Sequence, residues 1–435
     1  MSTLSTAQAR TFLALAVVCA GCSGGTADDE VFTSEERALI RTMVLDPKVT
    51  PPIDVGNDLW RLGAVLTVPP FDLQAFRLRL ARFGQQLFFD DQLSSRRADG
   101  TTVACVECHH PSHWFSDPRE DNGVSPGLDW TARNSPSLIN VGYYVSFGWD
   151  GRADALWAQG KHAFESPATM KGDKRVLAQQ VARRYSEVWR DTFQLELPQE
   201  LLSDAPNRFN ATPRDAMTEY ELDRIYRAIL QAWGAYELQL NSGDSPFDRF
   251  AMGDESALDA AQRRGLHLFL GKAGCLSCHL GPNFTDSLFH SVGVGQTGEH
   301  APAEDLGRFA GLEKFNAMSF ASYRMGPVRA ATEADKGLFR TKSLRQVAQT
   351  APYFHAGQLA TLADVVWFYN QGGGQSGAGT PSPLLVPLGL SEPEQADLVA
   401  FLGALTGTPP DPGWTCNNAR SPAALATTTR CAGIP

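Results

Sequence analysis

The chain has 435 residues and a formal net charge of -10; 43% of its residues are hydrophobic and 20% are charged. This composition is typical of a globular protein with two or three domains, each long enough to bury a core. Lysine and arginine form no dense block, which argues against nucleic acid or an acidic membrane surface as a partner. A basic protein partner suits the acidic balance better.

The N-terminal residues 1–22 have the pattern of an export signal. Arg10 precedes an apolar run, 12–20, that is too short to cross a bilayer as a helix. The sequence CAGC at Cys19–Cys22 resembles a bacterial lipobox, in which Cys22 would carry a lipid. Leucine is usual at the position of Cys19, so simple cleavage to a free periplasmic protein is the alternative. We predict a protein of the periplasm or cell envelope, with a lipid anchor as its only membrane attachment.

Most of the remaining chain is predicted to be helical. Residues 23–57 are polar and contain prolines, as expected of a tether. Apolar spacing predicts helices at Leu73–Phe88 and Leu258–Leu270. Three further helices are predicted to begin at Thr218, Thr361 and Ser391, with Glu221, Asp364 and Glu394 as their respective capping partners. No alternating run indicates a substantial sheet, so we predict a mainly α fold with domains at 58–243 and 244–408 and a tail at 409–435.

Four of the eight cysteines lie in two CxxCH motifs, one in each predicted domain. Two thiols separated by two residues reach both vinyl groups of one porphyrin, and the histidine that follows lies under the iron as its proximal ligand. Zinc and redox disulfides are the alternatives, but zinc-binding CxxC pairs usually lie close together in sequence. We predict two cytochrome c-like domains with one covalently bound haem c each, held by Cys105, Cys108 and His109 and by Cys275, Cys278 and His279.

The tail contains one further pair of cysteines, Cys416 and Cys431. In an exported protein such a pair is expected to form a disulfide bond. No cysteine is left to serve as a catalytic thiol.

Two haems permit two kinds of function. If both irons have six ligands, the protein only transfers electrons; if one iron has an open position, that haem can react with peroxide or oxygen. The sixth ligand of each iron therefore decides the function.

Several ordered segments accompany the two motifs. They are LFFDDQLS from Leu87, RNSPSLIN from Arg133, WDGRADAL from Trp149, SPFDRF from Ser245, FRTKSLRQVAQTAPYFHAG from Phe339 and LADVVWFYNQGG from Leu362. Over about residues 75–405 the chain thus resembles the bacterial di-haem cytochrome c peroxidase superfamily, which includes MauG. The resemblance implies that the second haem receives electrons and that the first haem is the peroxide site.

The resemblance also implies roles for residues between the two haems. Trp149 matches the tryptophan that relays an electron or shares a radical there; a core tryptophan is the alternative. A calcium ion between the domains would be bound by the side chain of Asn134 and the backbone carbonyls of Thr350 and Pro352, all hard oxygen ligands.

The sixth ligand of the second haem differs within the superfamily: it is methionine in the standard peroxidases and tyrosine in MauG. Counting from YFHAG into the next helix places Tyr369 at this position. A phenolate is a hard anionic donor and would lower the reduction potential. Met325 is the alternative ligand, and an ordinary packed tyrosine is the other alternative.

Two positions around the first haem depart from the standard peroxidases. Pro126 stands where their blocking histidine is expected, which predicts an open first iron. Thr169 stands where the distal glutamate is expected, and a hydroxyl cannot shuttle a proton at neutral pH as a carboxylate can. Glu165 and His162 lie nearby and could substitute for it, or they could simply face solvent.

We therefore predict an oxidoreductase that uses hydrogen peroxide at the first haem. It would take electrons through the second haem from a small redox protein, such as a cytochrome c or a cupredoxin, or it would oxidise a protein or organic substrate. Thr169 keeps an alternative open, namely a non-catalytic electron-transfer or haem-sensing protein.

Overall fold

The computed structural model describes residues 32–45, 72–117, 119, 123–317 and 329–416. The chain divides into a short unit, Met1–Phe32, and a large unit, Thr33–Pro435. The helices, strands and sites described here all belong to the large unit. The predicted lipid site Cys22, the alternative ligand Met325 and the tail residue Cys431 lie outside the described residues. Cys416 is disulfide-bonded. No helix in the described segments is both long and apolar enough to cross a membrane.

Helices dominate the described residues, as predicted. In the N-terminal half they are α1 (Ser34–Thr42), α2 (Leu73–Phe88), α3 (Cys105–Cys108), α4 (Leu156–Glu165), α5 (Lys174–Phe193) and α6 (Ala216–Glu237). In the C-terminal half they are α7 (Pro246–Ala251), α8 (Ala260–Leu270), α9 (Arg308–Ala317), α10 (Leu362–Asn370) and α11 (Glu392–Gly403). Two short antiparallel strands, β1 (Phe289–His290) and β2 (Phe339–Arg340), pair Phe289 with Arg340 and His290 with Phe339.

Each half contains one helix pair that crosses at a glycine. In the N-terminal half α2 packs on α6, and a Cβ at Gly84 would overlap the backbone carbonyl of Ala232. In the C-terminal half α8 packs on α11, and a Cβ at Gly265 would overlap the carbonyl of Asp397. The hydrogen atom of glycine is what allows this close approach. The helix that precedes each CxxCH motif is therefore fixed against a later helix of the same half.

Aromatic side chains fill the space beside both crossings. In the N-terminal half Phe83 packs against Tyr185, Trp189 and Phe193, with ring centroids 6.0 to 6.4 Å apart. In the C-terminal half Phe247, Phe269, Phe284 and Phe401 form a cluster, with centroids 5.2 to 6.5 Å apart. Each buried phenyl ring of this kind contributes about 1.5–3 kcal/mol by leaving water.

The predicted helix positions are confirmed, with shifts at two starts. Leu73–Phe88 has the predicted bounds, and α10 begins after Thr361 with Asp364 as its capping partner. The start predicted at Thr218 is wrong by two residues, because the carboxylate of Asp215 accepts hydrogen bonds from both the backbone and the hydroxyl of Thr218. Likewise α8 starts at Ala260, because Asp259 caps it.

Part of the segment predicted to be a tether is folded. Helix α1 lies within it, and Met43 and Leu45, which follow the helix, are buried. The Met43 carbonyl accepts a hydrogen bond from Arg345 at 2.8 Å, and the Leu45 amide donates to Asp248 at 3.2 Å. The tether expectation is wrong here because a few apolar side chains in a polar stretch suffice to dock a short helix.

Two candidate haem sites

The first CxxCH motif forms the short helix α3 and the turn after it. Both thiols are free, and the Nδ1 of His109 donates to the carbonyl oxygen of Phe115 at 3.0 Å. Phe115 is fully buried and adopts a left-handed backbone with φ 57°. Because Nδ1 carries the proton, Nε2 keeps the lone pair that binds a metal. The ring is thus oriented as an iron ligand must be.

The second motif repeats this arrangement. His279 donates from Nδ1 to the carbonyl oxygen of Phe284 at 2.9 Å, and Phe284 is fully buried with φ 49°. Burial lowers the pKa of His279 and that of His109, which favours the neutral imidazole that ligates iron. Sequence reasoning missed both phenylalanines, since neither a motif nor a periodicity marks a residue that acts through its carbonyl.

The residues present fit two c-type haems. All four motif thiols are unpaired, which argues against redox disulfides. In the described part of the chain, three or more His, Cys, Asp or Glu side chains come within reach of one metal ion only at Cys278, Asp286 and His290, so the two CxxC pairs do not form one zinc site. Arg340 is buried, and its Nη1 has no hydrogen-bond partner in the described residues. An anionic group such as a haem propionate would satisfy it.

Trp149 is half-buried and held at both ends. Its Nε1 donates to the carbonyl oxygen of Asn134 at 2.8 Å, and its own carbonyl accepts from Arg340 at 2.8 Å. The Nζ of Lys342 lies 4.4 Å from the centre of the indole ring. The charge of Lys342 lowers the pKa of His109, and a hydrogen bond with the Lys342 backbone raises the pKa of His279. Lys342 therefore lies near both proximal histidines. Trp149 thus contacts Lys342, which lies near both motifs. Sequence reasoning missed this role of Lys342.

The segment around Pro126 lies between the first motif and the Thr169 segment. The Pro126 carbonyl oxygen is 3.8 Å from the Sγ of Cys108. The amide of Leu128 donates to the Thr169 carbonyl at 2.8 Å, and a Cβ at Gly127 would clash with the backbone of that segment. The structure therefore brings the predicted distal positions Pro126 and Thr169 together beside the first motif.

The three possible distal acid–base groups differ in their hydrogen bonds. The Thr169 hydroxyl donates to the carbonyl of Ala163 at the end of α4. The Glu165 carboxylate pairs with Lys161 and accepts from the hydroxyl of Tyr226 at 3.1 Å. The Nε2 of His162 is buried and has no partner in the described residues. Burial lowers the pKa of His162 to about 4, so its ring is neutral at neutral pH.

Tyr369 lies in α10, close to the second motif. Burial raises the pKa of its phenol, and the thiols of Cys278 and Cys275 are close enough to contribute to the increase. The ring packs between Phe354 and Phe368, with centroids 6.1 and 5.4 Å away. The alternative ligand Met325 lies outside the described residues.

The proposed calcium ligands come from two segments that touch. The Asn134 amide donates to the carbonyl of His355 at 2.8 Å, next to the segment that holds Thr350 and Pro352. Asn134 is 6% exposed, and its Nδ2 has no hydrogen-bond partner in the described residues. The oxygen-rich set suits calcium in its chemistry.

Comparison with known proteins agrees with this geometry. A family model described as "Di-haem cytochrome c peroxidase" matches residues 79–256. The chain is 34% identical over 338 residues to cytochrome-c peroxidase IdrP2 of Denitromonas iodatirespirans, covering 76% of this chain and 82% of that protein. It is 33% identical to the methylamine utilization protein MauG of Methylorubrum extorquens and 30% to cytochrome c551 peroxidase of Pseudomonas aeruginosa, each over 75% of this chain and 78% of the relative.

Solved structures agree as well. A MauG-like protein associated with microbial copper homeostasis aligns with a TM-score of 0.57 at 25% identity, over 79% of this chain and 95% of that one. The di-haem peroxidase BthA from Burkholderia thailandensis has the same fold, with a TM-score of 0.59 at 22% identity, over 78% and 87% of the two chains.

The chain belongs to the di-haem cytochrome c peroxidase and MauG family. It is a mainly helical c-type cytochrome oxidoreductase of the peroxidase type, and its two CxxCH motifs match the two haems of that family.

Proposed function

We propose that the protein reduces hydrogen peroxide at the first haem site with electrons that enter through the second. The observation that carries this proposal is the position of Pro126 beside Cys108. Proline has no side-chain donor that could block an iron, so peroxide would find an open coordination position there. The haem supplies the redox chemistry; the chain supplies position, electrostatics and protons.

The proton donor at the first site is proposed to be His162. The Thr169 hydroxyl is engaged by a backbone carbonyl, and Glu165 is engaged by Lys161 and Tyr226. His162, on the same helix end, has a neutral ring, and its Nε2 has no hydrogen-bond partner among the described residues. A neutral imidazole can take a proton from peroxide and return it to the leaving oxygen.

The second site is proposed to receive electrons, with Tyr369 as the sixth iron ligand and Trp149 as the relay between the sites. The partly buried phenol near Cys275 and Cys278 and the contact of Trp149 with Lys342 support these roles. The donor would be a small redox protein such as a cytochrome c or a cupredoxin; oxidation of a protein substrate is the other possible mode.

Three further features belong to the proposal. The halves 58–243 and 244–408 would each enclose one haem. A calcium ion would link them through Asn134, Thr350 and Pro352. The protein would work in the periplasm or cell envelope, with Cys22 as a lipid anchor.

The test is to mix the ferric protein with one equivalent of peroxide and to follow the Soret and near-infrared bands. A fast change supports an open first iron. No change, before and after one-electron reduction, would contradict the proposal and favour a protein that only transfers electrons.

A further inference from the structure

A tryptophan near the surface lies close to the first haem site and has no role in the function above. Trp130 is half-buried and pairs with Pro126 as an antiparallel bridge. The same Pro126 carbonyl lies 3.8 Å from the Sγ of Cys108, a haem attachment atom. One short hairpin thus connects Trp130 with the first haem site.

The indole of Trp130 is stacked nearly parallel on the imidazole of His300. The ring centroids are 3.7 Å apart, and the planes differ by 10°. At this distance and tilt the two rings contact each other over their faces.

Loss of one electron strengthens this interaction. The oxidised indole is a cation, and the negative face of a neutral imidazole attracts it. The stack therefore stabilises the oxidised indole relative to the reduced one. It makes Trp130 easier to oxidise than an unstacked tryptophan.

We propose that Trp130 is a surface electron-transfer residue of the first haem site, a second entry for electrons besides the second haem, through which a bulky aromatic reductant delivers electrons for peroxide reduction. This inference rests on the proposed function. One peroxide takes two electrons and two protons and gives two waters. For each electron, the Trp130 indole becomes a radical cation and recovers its electron from one reductant molecule, so two reductant molecules are oxidised per peroxide.

Trp367 provides an internal control. It lies on α10, in the same helix as Tyr369, and is 59% exposed. If peroxide in solution attacked tryptophans according to exposure, Trp367 would be oxidised before the half-buried Trp130. The proposal predicts the opposite order.

The experiment uses the full-length holoprotein at about pH 8, where histidine is mostly neutral. Without a reductant, one equivalent of peroxide should add oxygen to the peptide that contains Trp130 and leave the Trp367 peptide largely unmodified, as measured by mass spectrometry. More oxygen on Trp367 than on Trp130 would overturn the proposal.

Two variants complete the test, with the aromatic dye ABTS as the bulky reductant. Trp130→Phe should slow ABTS oxidation by at least about tenfold, while its Soret response to peroxide stays as in the wild type; Trp367→Phe should oxidise ABTS normally. His300→Leu should oxidise ABTS more slowly and label Trp130 less.

The outcomes separate the two proposals. Normal ABTS oxidation in Trp130→Phe, or unchanged labelling in His300→Leu, with a normal Soret response, would refute the surface route and leave peroxide reduction intact. A wild-type protein without any Soret response to peroxide would refute both.

Discussion

At the scale of single residues, the first site is defined by which polar atoms are already engaged. The Thr169 hydroxyl is bound by the Ala163 carbonyl, whereas the Nε2 of His162 is not bound in the described structure. A residue's identity alone does not reveal this difference. Sequence reasoning considered both residues for the distal side of the first site. Only the fold shows that the Thr169 hydroxyl is already bonded to a carbonyl at the end of a helix.

Introducing a carboxylate at position 169 tests the distal side. We expect Thr169→Glu to accelerate the reaction with peroxide by at least about tenfold, because a positioned acid–base group contributes roughly 10²–10⁴-fold. Stopped-flow measurement of the Soret change gives the rate. Thr169→Gln, which has the same size without an ionisable group, is the control; equal rates in the two variants would contradict an acid–base role.

The phenol of Tyr369 is tested by its removal. Tyr369→Phe should change the low-spin spectrum of the second haem and raise its reduction potential, because an anionic oxygen ligand favours the ferric state. Tyr353→Phe is the matched control, since it removes another partly buried phenol, which bonds the Val347 carbonyl. An unaltered spectrum in Tyr369→Phe would exclude it as the ligand.

His355 predicts how stability depends on pH. It is 3% exposed, and burial lowers its pKa to about 4, below about 6.5 in the unfolded chain. Unfolding therefore binds a proton between these values, and stability present above about pH 6.5 is lost as the pH falls toward 4. His355→Gln should lose less stability over this range in pH-dependent thermal unfolding. An identical slope in both proteins would refute this.

At the scale of elements, the paired crossings of α2 with α6 and of α8 with α11 hold the two motifs. The apolar pattern predicted the bounds of α2, because periodicity reports which face is buried. It could not predict the partner helix, since Gly84 and Gly265 are recognised as contact points only when the opposite carbonyl is in place. Similarly, Phe115 and Phe284 act through backbone atoms that every residue possesses.

Filling one crossing tests this account. Gly265→Ala should destabilise the protein by about 1–3 kcal/mol, because the added methyl group forces α8 away from α11. Gly403→Ala, at the end of α11 with open space around its Cβ, should be neutral or slightly stabilising. Chemical denaturation of the holoprotein measures both values; equal effects would show that the crossing is not close-packed.

At the scale of the whole molecule, Arg133 connects the two halves of the chain. It forms an ion pair with Asp150 at 2.7 Å in the N-terminal half and a bidentate pair with Asp305, at 2.6 and 2.7 Å, in the C-terminal half. Burial alone would raise the pKa of Asp305, but its hydrogen bonds from Arg133 lower it. The halves are therefore joined by charges that are withdrawn from water. Each of these charges needs its partner, because a buried charge without a partner is strongly destabilising.

Removing one of these charges should loosen the connection. Asp305→Asn should cost about 3–5 kcal/mol, because it leaves part of the buried Arg133 charge uncompensated. Glu304→Gln, at the exposed neighbouring position, is the control and should stay within about 0.5 kcal/mol. Thermal unfolding monitored at both haem bands measures the loss; a small effect in Asp305→Asn would mean that other contacts hold the halves together.

The two proximal histidines are held by the same kind of hydrogen bond, from Nδ1 to a phenylalanine carbonyl. This similarity bears on how one chain can give different tasks to two chemically identical cofactors. Both imidazoles donate to an uncharged carbonyl, so neither gains the added basicity that a carboxylate acceptor would confer. The direct hydrogen-bond partners of the two imidazoles are therefore alike. In the proposed function, Pro126 at the first site and Tyr369 at the second would supply the asymmetry between the irons. Design could then exchange the two tasks by exchanging those residues and leaving the repeated scaffold alone.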